Sequence, residues 1–442
     1  MQQSDVGYEL CEQDGEDVPY CPHGPTLLFS RKSNKGDAID KFYACAAYRK
    51  RKDCNFYQKF GPKESEEKQA LRKKIYLNFN SSNRLYRNIM EDSIHKERIK
   101  FCLICGVVIP NKLCADNSHT AQYKFLSATD LKYPSRFLTP KESNASNAQY
   151  FFSPDVIDFI SSTILTLHFD KVLCIGTPSI HEHIKHSGKH KSVSTFLLDL
   201  DVRMRQFHKD YAHYNMFNHH FYEAAEEERF YQFMASSKSL LIIIDPPYGG
   251  LVQALSVTLK KIVSTSSCKS VSRLLFFPYF MEPQVEKHLP SLAMSDYKVN
   301  YSNHSGYKAG VSEHSKGSPA RIYTDIPLKR FVLPQEHGYK FCEVCLKYIS
   351  KENQHCYQCG SCTTKHGSQY HHCETCKRCV KPSRVHCLQC NQCEMESHTC
   401  HSTETKQAGI LLKRKQMSKR KHSYNTAGHK KESWNVKKRH KT

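Results

Sequence analysis

No stretch of this chain holds the roughly 18 consecutive apolar residues that a helix needs to cross a bilayer, which argues against a helical membrane protein. Its first residues, Met1 to Asp17, are acidic and polar and lack the apolar core of a signal peptide. A reducing compartment is therefore expected, where cysteines serve metals better than disulfides. Acid is scarce as well. Against 65 Lys and Arg stand 43 Asp and Glu, a net charge of +22 over 442 residues. That imbalance points to a polyanionic partner, nucleic acid before a membrane surface. The length allows two or more domains.

What the chain has in plenty is cysteine, unevenly placed. Of 21, four fall before residue 60, three between 102 and 114, and twelve between 342 and 400. Cys21-Pro-His23, Cys45 and Cys54 supply four ligands for a tetrahedral zinc. Short aromatic strands, Lys41–Cys45 and Cys54–Tyr57, and the basic run Arg49–Lys52 surround them. This region, 20–60, resembles a GRF-type zinc finger, a binder of single-stranded nucleic acid, where rings stack on bases and cations track the backbone. An acidic tail, 1–19, precedes it. Residues 61–100 are charged and helix-favouring and predict a linker helix. In 101–122, Cys102 and Cys105 form a Cys-x2-Cys knuckle. Cys114 and His119 complete a second finger, with His95 as a substitute for one of them.

Residues 340–402 form a cysteine array. Its candidate ligands are Cys342, Cys345, Cys356, Cys359, Cys362, His366, His372, Cys373, Cys376, Cys379, His386, Cys387, Cys390, Cys393, His398 and Cys400. So dense a ligand set leaves little for an apolar core, and metal must supply the folding energy. Three or so interleaved zinc ions are expected, with the pairing open. The array resembles the DHHC cysteine-rich module of palmitoyltransferases. The membrane spans are absent, however, and Ser397-His398-Thr399-Cys400 stands where Asp-His-His-Cys would. Cys400 is therefore read as a ligand and not a nucleophile. From 403 to 442 the chain is Lys/Arg-rich, with blocks at Lys413–Lys415, Lys419–Lys421 and Lys437–Lys441. Such a tail suits nuclear and nucleolar targeting, with cytoplasm as a second location, and RNA attachment.

Between the fingers and the array, residues 123–335 lack paired cysteines and read as one α/β domain. Leu240–Ile244 is a strand buried on both faces. It runs straight into Asp245-Pro246-Pro247-Tyr248. The prolines stiffen the exit, and Pro246 keeps Asp245 out of the helical region. At the carboxyl end of such a strand, an acid and a ring can grip a planar amine. This is the DPPY form of the (Asp/Asn)-Pro-Pro-(Tyr/Phe) signature and resembles that of amino-methyltransferases using S-adenosylmethionine.

Upstream pieces stand in the matching order. Gln149-Tyr150-Phe151-Phe152 leads a helix capped at Ser153 with Pro154 in its first turn. It resembles the segment that lines the methionine end of the cofactor in N6-adenine methyltransferases. Lys171–Ile175 is a strand ending at Gly176, the one glycine of the expected cofactor loop. Ser194–Asp199 ends in acids suited to ribose hydroxyls, Asp199 first and Asp201 second. Phe217 would pack on adenine and Asn218 would read its edge. His208, His213, His219 and His220 lack a ligand pattern and are read as surface or structural. Val271–Tyr279 and Tyr297–Tyr301 read as later strands, and Ala320–Asp325 with Phe331–Leu333 completes the domain.

Finger, second finger, DPPY domain and array in this order resemble the CCHC zinc-finger ribosomal RNA N6-adenosine methyltransferases. The family's Cys-x2-Cys-x4-His-x4-Cys knuckle is not found in this sequence. The resemblance implies a Rossmann-like class I S-adenosylmethionine-dependent methyltransferase domain flanked by small zinc-binding domains. It further implies a structured stem-loop of large-subunit 28S rRNA as substrate, RNA-processing proteins as partners, and a contribution to translation. Asp245, Pro246, Pro247 and Tyr248 would form the catalytic corner. Two other readings stay open: methylation of a different planar amine (cytosine N4, DNA adenine, protein glutamine), or an inactive zinc-dependent RNA adaptor.

Overall fold

The computed structural model describes residues 7–11, 18–32, 38–48, 51–61, 64–81, 86, 99–109, 122–139, 150–235, 238–303, 318–365 and 369–400. Two compact units are present, Met1–Lys351 and Glu352–Thr442.

The first unit is organised on a sheet. Its strands are Lys171–Ile175 (β1), Ser194–Asp199 (β2), Tyr211–Asn215 (β3), Ser239–Ile244 (β4), Ser270–Pro278 (β5), Ala293–Met294 (β6) and Ala320–Thr324 (β7). They lie in the order β3-β2-β1-β4-β5-β7-β6, with a short strand, His220–Phe221, beyond β3. β1 to β5 are parallel, and β7 runs antiparallel to both neighbours. Leu240 to Ile244 are each 0% exposed, which is why this strand reads as an unbroken apolar run. Each such side chain contributes roughly 1.5–3 kcal/mol by leaving water.

Alternate side chains feed two cores. Val172, Cys174, Leu241 and Ile243 pack with the helices Pro154–Thr166 (α1) and Pro178–His186 (α2). Leu173, Ile175, Leu240, Ile242 and Ile244 pack with Ala224–Met234 (α3), Val252–Thr265 (α4) and Glu282–His288 (α5). The strand order reverses between β1 and β4. In an open α/β sheet that reversal leaves a crevice at the carboxyl ends, where ligands bind.

Two expectations need correction. Tyr297–Tyr301 is not a ladder strand; a single bridge joins Phe152 to Tyr301. Phe331–Leu333 is likewise outside any strand. In both, buried rings rather than a backbone ladder hold the segment: Tyr297 stacks on Phe159 at 4.1 Å, and Phe331 meets Phe159 edge-on at 5.4 Å. Ser153 occupies the cap position of α1, but its hydroxyl donates to the Asn300 carbonyl instead.

The first finger is a sheet of Gly7–Leu10, Gly24–Lys32, Ala38–Cys45 and Tyr57–Lys59, with Tyr20–Cys21 at its edge. The helix Glu66–Ser81 follows; residues 82–98, apart from Tyr86, lie outside the described residues. Finger and helix dock on the ribbon after β3. Tyr76 Oη lies 3.0 Å from His220 Nε2, and Tyr222 Oη donates to the His23 carbonyl at 2.9 Å. A small sheet of Ile99–Cys102, Val107–Ile109 and Tyr123–Leu126 docks on Gln206, which accepts from Val108 N at 2.7 Å and donates to Gly106 O at 2.9 Å. No helix among the described residues is long and apolar enough to cross a membrane.

The second unit, over its described residues, is a run of short hairpins: His355–Cys356 with Ser361–Cys362, His371–Cys373 with Arg378–Val380, and Arg384–Cys387 with Gln392–Met395. Its apolar cluster is small, Cys373, Val380 and Cys393 with Cys376 against them.

Candidate active site and metal centres

Register brings the candidate residues to one edge. Ile244 stands opposite Ile175, and Ile175 opposite Leu198, so Asp245, Gly176 and Asp199 end adjacent strands at one level. Two hydrogen bonds latch the three ends, Asp245 N to Ile175 O at 3.1 Å and Gly176 N to Leu198 O at 2.9 Å. Gly176 has φ +68, and a Cβ there would sit 3.0 Å from the Asp245 carbonyl and 3.2 Å from Met216 Cε. One glycine therefore does two things: it takes a left-handed turn and lets the proline corner approach.

Pro246 is buried and Pro247 exposed, and Gly250 N–H closes the turn on the Pro247 carbonyl. Asp245 sits deep in the crevice but keeps part of its surface open. Burial pushes its carboxyl well above the usual carboxylate range, while the Tyr301 hydroxyl, donating to Oδ1 at 3.2 Å, pulls the other way. Tyr248 is half-buried, with its hydroxyl 3.4 Å from Ser318 Oγ. Phe217 packs at the same corner, its ring 3.0 Å from where a Gly250 Cβ would stand.

The remaining candidates divide. Asp199 Oδ1 accepts from Asp201 N at 2.8 Å. Asp201 is engaged by Arg203, whose Nε and Nη2 reach both its oxygens at 2.6–3.0 Å. That ion pair matches the charge of Asp201. Asn218 Nδ2 donates to Pro25 O of the first finger at 2.8 Å, and its buried Oδ1 has no protein partner. Phe151 and Phe152 are core residues, while Tyr150 is 40% exposed. Gln149 lies outside the described residues. His208 and His213 are buried rather than on the surface, and so structural. The buried Ser179 Oγ, beyond the end of β1, and Asn215 Nδ2, on the last residue of β3, have no protein partner. Orphaned polar atoms, a glycine cradle and a strand-end acid are the donor set a nucleoside-bearing cofactor fits.

Residues 143–324 match the family model described as probable N6-adenine methyltransferase. The human rRNA N(6)-adenosine-methyltransferase ZCCHC4 is 38% identical over 371 residues, 79% of this chain and 72% of that protein. The mouse protein of the same name is 39% identical over 359 residues, covering 77% and 70%. That of Xenopus laevis is 38% identical over 361 residues, covering 76% and 73%. The chain belongs to the rRNA N6-adenosine methyltransferase family.

In this member of the family the cysteines assemble into groups that could hold a metal. Cys21, His23, Cys45 and Cys54 offer four ligand atoms within 4.8 Å of one another. In the second unit the same holds for Cys356, Cys359, His372 and Cys379; for Cys373, Cys376, His386 and Cys393; and for Cys387, Cys390, His398 and Cys400. Pairs such as Cys359 Sγ–Cys379 Sγ at 3.7 Å and Cys376 Sγ–His386 Nδ1 at 3.2 Å approach the edge of a zinc tetrahedron, about 3.3–3.8 Å for its bond lengths. Backbone N–H groups of Cys359, Cys376 and Cys390 hold the thiols of Cys356, Cys373 and Cys387 down to about 7, 6 and 6.

In the second unit the knuckles Cys356-x2-Cys359 and Cys373-x2-Cys376 are each completed by a His and a Cys of the next hairpin, and Cys387-x2-Cys390 by His398 and Cys400 beyond the last one. In sequence, Cys342-x2-Cys345 is followed by the same His-x6-Cys step, His355 and Cys362. His355 Nδ1 lies 3.9 Å from Cys362 Sγ. His355 was absent from the expected ligands, and the signal for it was that repeated step. His366 lies outside the described residues, and the group containing Cys356 and Cys359 has four ligands without it.

A second regularity went unread. The residue after the first Cys-x2-Cys of each hairpin has positive φ: Gly106 at 70°, Leu346 at 48°, Gly360 at 62°, Lys377 at 51° and Asn391 at 49°. Cys102 and Cys105 share this turn, and Cys105 N donates to Cys102 Sγ at 3.4 Å as Cys376 N does to Cys373 Sγ. Cys114 and His119 lie outside the described residues.

Proposed function

We propose that this chain transfers a methyl group from S-adenosylmethionine to N6 of an adenosine in a structured stem-loop of 28S rRNA. The observation that carries the reading is the close approach of Gly176 to the Asp245 carbonyl at the strand-order reversal, held by the bond from Asp245 N to Ile175 O. The strand order, with its antiparallel β7, supports a Rossmann-like class I methyltransferase domain over 123–335. Gly176, Asp199 and Phe217 would hold the cofactor, whose sulfonium supplies an electrophilic methyl when bound.

The rest is the work of this chain's residues. N6 is a poor nucleophile because its lone pair is delocalised into the ring. Tyr301 engages Asp245 Oδ1, so Oδ2 is the acceptor for an amino hydrogen. A carboxylate raised in basicity by burial draws that proton strongly and returns electron density to the nitrogen. The proton that the methylated nitrogen must shed would pass to Oδ2 and from there to solvent water. Tyr248 would face the base, which must be unpaired or flipped out. Most of the acceleration is positioning and electrostatics.

The Cys/His groups would hold zinc, which supplies folding energy where the apolar cluster is small. With the +22 charge and the basic blocks at 403–442, the fingers would serve RNA binding, and the nucleus and nucleolus would be the working place. RNA-processing proteins would accompany it there.

Full-length chain incubated with 28S rRNA and isotopically labelled cofactor, followed by nucleoside mass spectrometry, tests the reading. Labelled N6-methyladenosine that disappears in Asp245→Ala is expected. Label on cytosine, or unchanged activity in a folded Asp245→Ala, would refute it.

A further inference from the structure

Tyr301 lies 56 residues from Asp245 in sequence, yet its hydroxyl donates to Asp245 Oδ1 at 3.2 Å. The phenol is 3% exposed. Its ring stacks on Phe152 at 5.3 Å and 25°, and Tyr150 meets it edge-on at 6.2 Å. Its backbone bridges Phe152, and both flanking residues tie the same segment: Ser302 N to Phe151 O at 2.8 Å and Ser153 N to Asn300 O at 3.1 Å. The hydroxyl is therefore aimed by a rigid seat and not by chance of a rotamer.

We propose that Tyr301 is a positioning residue of the methyl-transfer site, orienting the Asp245 carboxylate so that Oδ2 faces the incoming amine. The proposal rests on the reading of Asp245 as the acceptor. A carboxylate at the end of a strand can rotate about two bonds. A donor locked onto Oδ1 removes that freedom and leaves the other oxygen for the substrate. The aromatic segment before α1 thus serves the reaction through this ring: Phe152 and Tyr150 seat Tyr301, and Tyr301 sets Asp245.

The hydroxyl also sets when the acceptor is charged. Among described residues, burial and Tyr301 act on Asp245, and Asp245 and Tyr248 act on Tyr301. Burial favours the protonated acid; the Tyr301 hydrogen bond favours the carboxylate. Removing the hydroxyl lets Asp245 keep its proton to higher pH.

The test is kcat and KM against pH for full-length wild type, Tyr301→Phe and Asp245→Ala, with cofactor affinity by calorimetry. Phenylalanine keeps the stack and the backbone bridge, so cofactor affinity should hold. The expected result is a kcat loss of roughly tenfold or more, the scale of a hydrogen bond to a charged group, with the acid limb moved to higher pH. A wild-type profile in Tyr301→Phe beside an inactive Asp245→Ala overturns the proposal alone. An active Asp245→Ala overturns the underlying reading. Should Tyr301→Phe fail to fold, Phe152→Leu loosens the seat and leaves the hydroxyl. The same upward shift then supports the proposal, and a lower kcat with an unmoved limb overturns it.

Discussion

Replacing Gly176 by alanine separates two costs that the structure places on one residue. Its φ of +68 charges any L side chain about 1–2 kcal/mol. The added Cβ would also stand 3.0 Å from the Asp245 carbonyl and 3.2 Å from Met216 Cε. Ordinary contact needs about 3.5 Å or more, so the corner must retreat by a few tenths of an ångström. Gly188 provides the control: its φ is +75, and a Cβ there meets nothing within 4 Å. Gly188→Ala should therefore lose about 1–2 kcal/mol of stability, a few degrees in Tm, with unchanged kcat. Gly176→Ala should lose more than that and also lose activity. A displacement of about 1 Å costs roughly 100-fold, so a shift of a few tenths predicts a kcat loss of several-fold to tenfold. Differential scanning fluorimetry, cofactor calorimetry and methylation of rRNA read the three quantities. Should the two variants prove equal in kcat and cofactor affinity, the close approach of the two strand ends has no part in the chemistry.

Asp245→Asn should remove a pH dependence. A carboxyl raised on folding stabilises the fold below its unfolded value, near 3.9, and that stability is lost as pH rises through the folded value, at about 1.4 kcal/mol per tenfold change in proton affinity. The Asn variant should thus gain in Tm over wild type as pH increases from 4 to 8, while methylation falls roughly 100-fold; a Tm gap that stays constant with pH would contradict the buried-acid account. In the array, Lys377 holds φ 51° after its knuckle, so Lys377→Gly should resist metal stripping better by about 0.5–1 kcal/mol. Titration of the full chain with a chelator, read by metal release, checks this. Asn218→Ala should cost about 1 kcal/mol of stability and less than tenfold in kcat/KM, whereas a larger loss in steady-state assays would restore a base-reading role.

The amino-acid order by itself determined whatever depends on neighbours along the chain. The apolar run of β4, the proline corner after it, the glycine and acid ending β1 and β2, and each Cys-x2-Cys are local chemistry, so their types and sequence were legible. Three things waited for the tertiary structure. That Asp201 is the acid paired with Arg203 depends on where that side chain points. That Asn218 ties the finger's Pro25 carbonyl, 193 residues away, is not written in any local motif. Tyr301 was only one ring in an alternating segment until the bridge to Phe152 carried its hydroxyl to Asp245. Ligand pairing is mixed: the His-x6-Cys step at His355, His372 and His386 is written in spacing, whereas which knuckle a His and Cys complete depends on how the hairpins stack. Spacing specifies which groups exist; only packing, by excluding all but one set of neighbours, decides which of them meet.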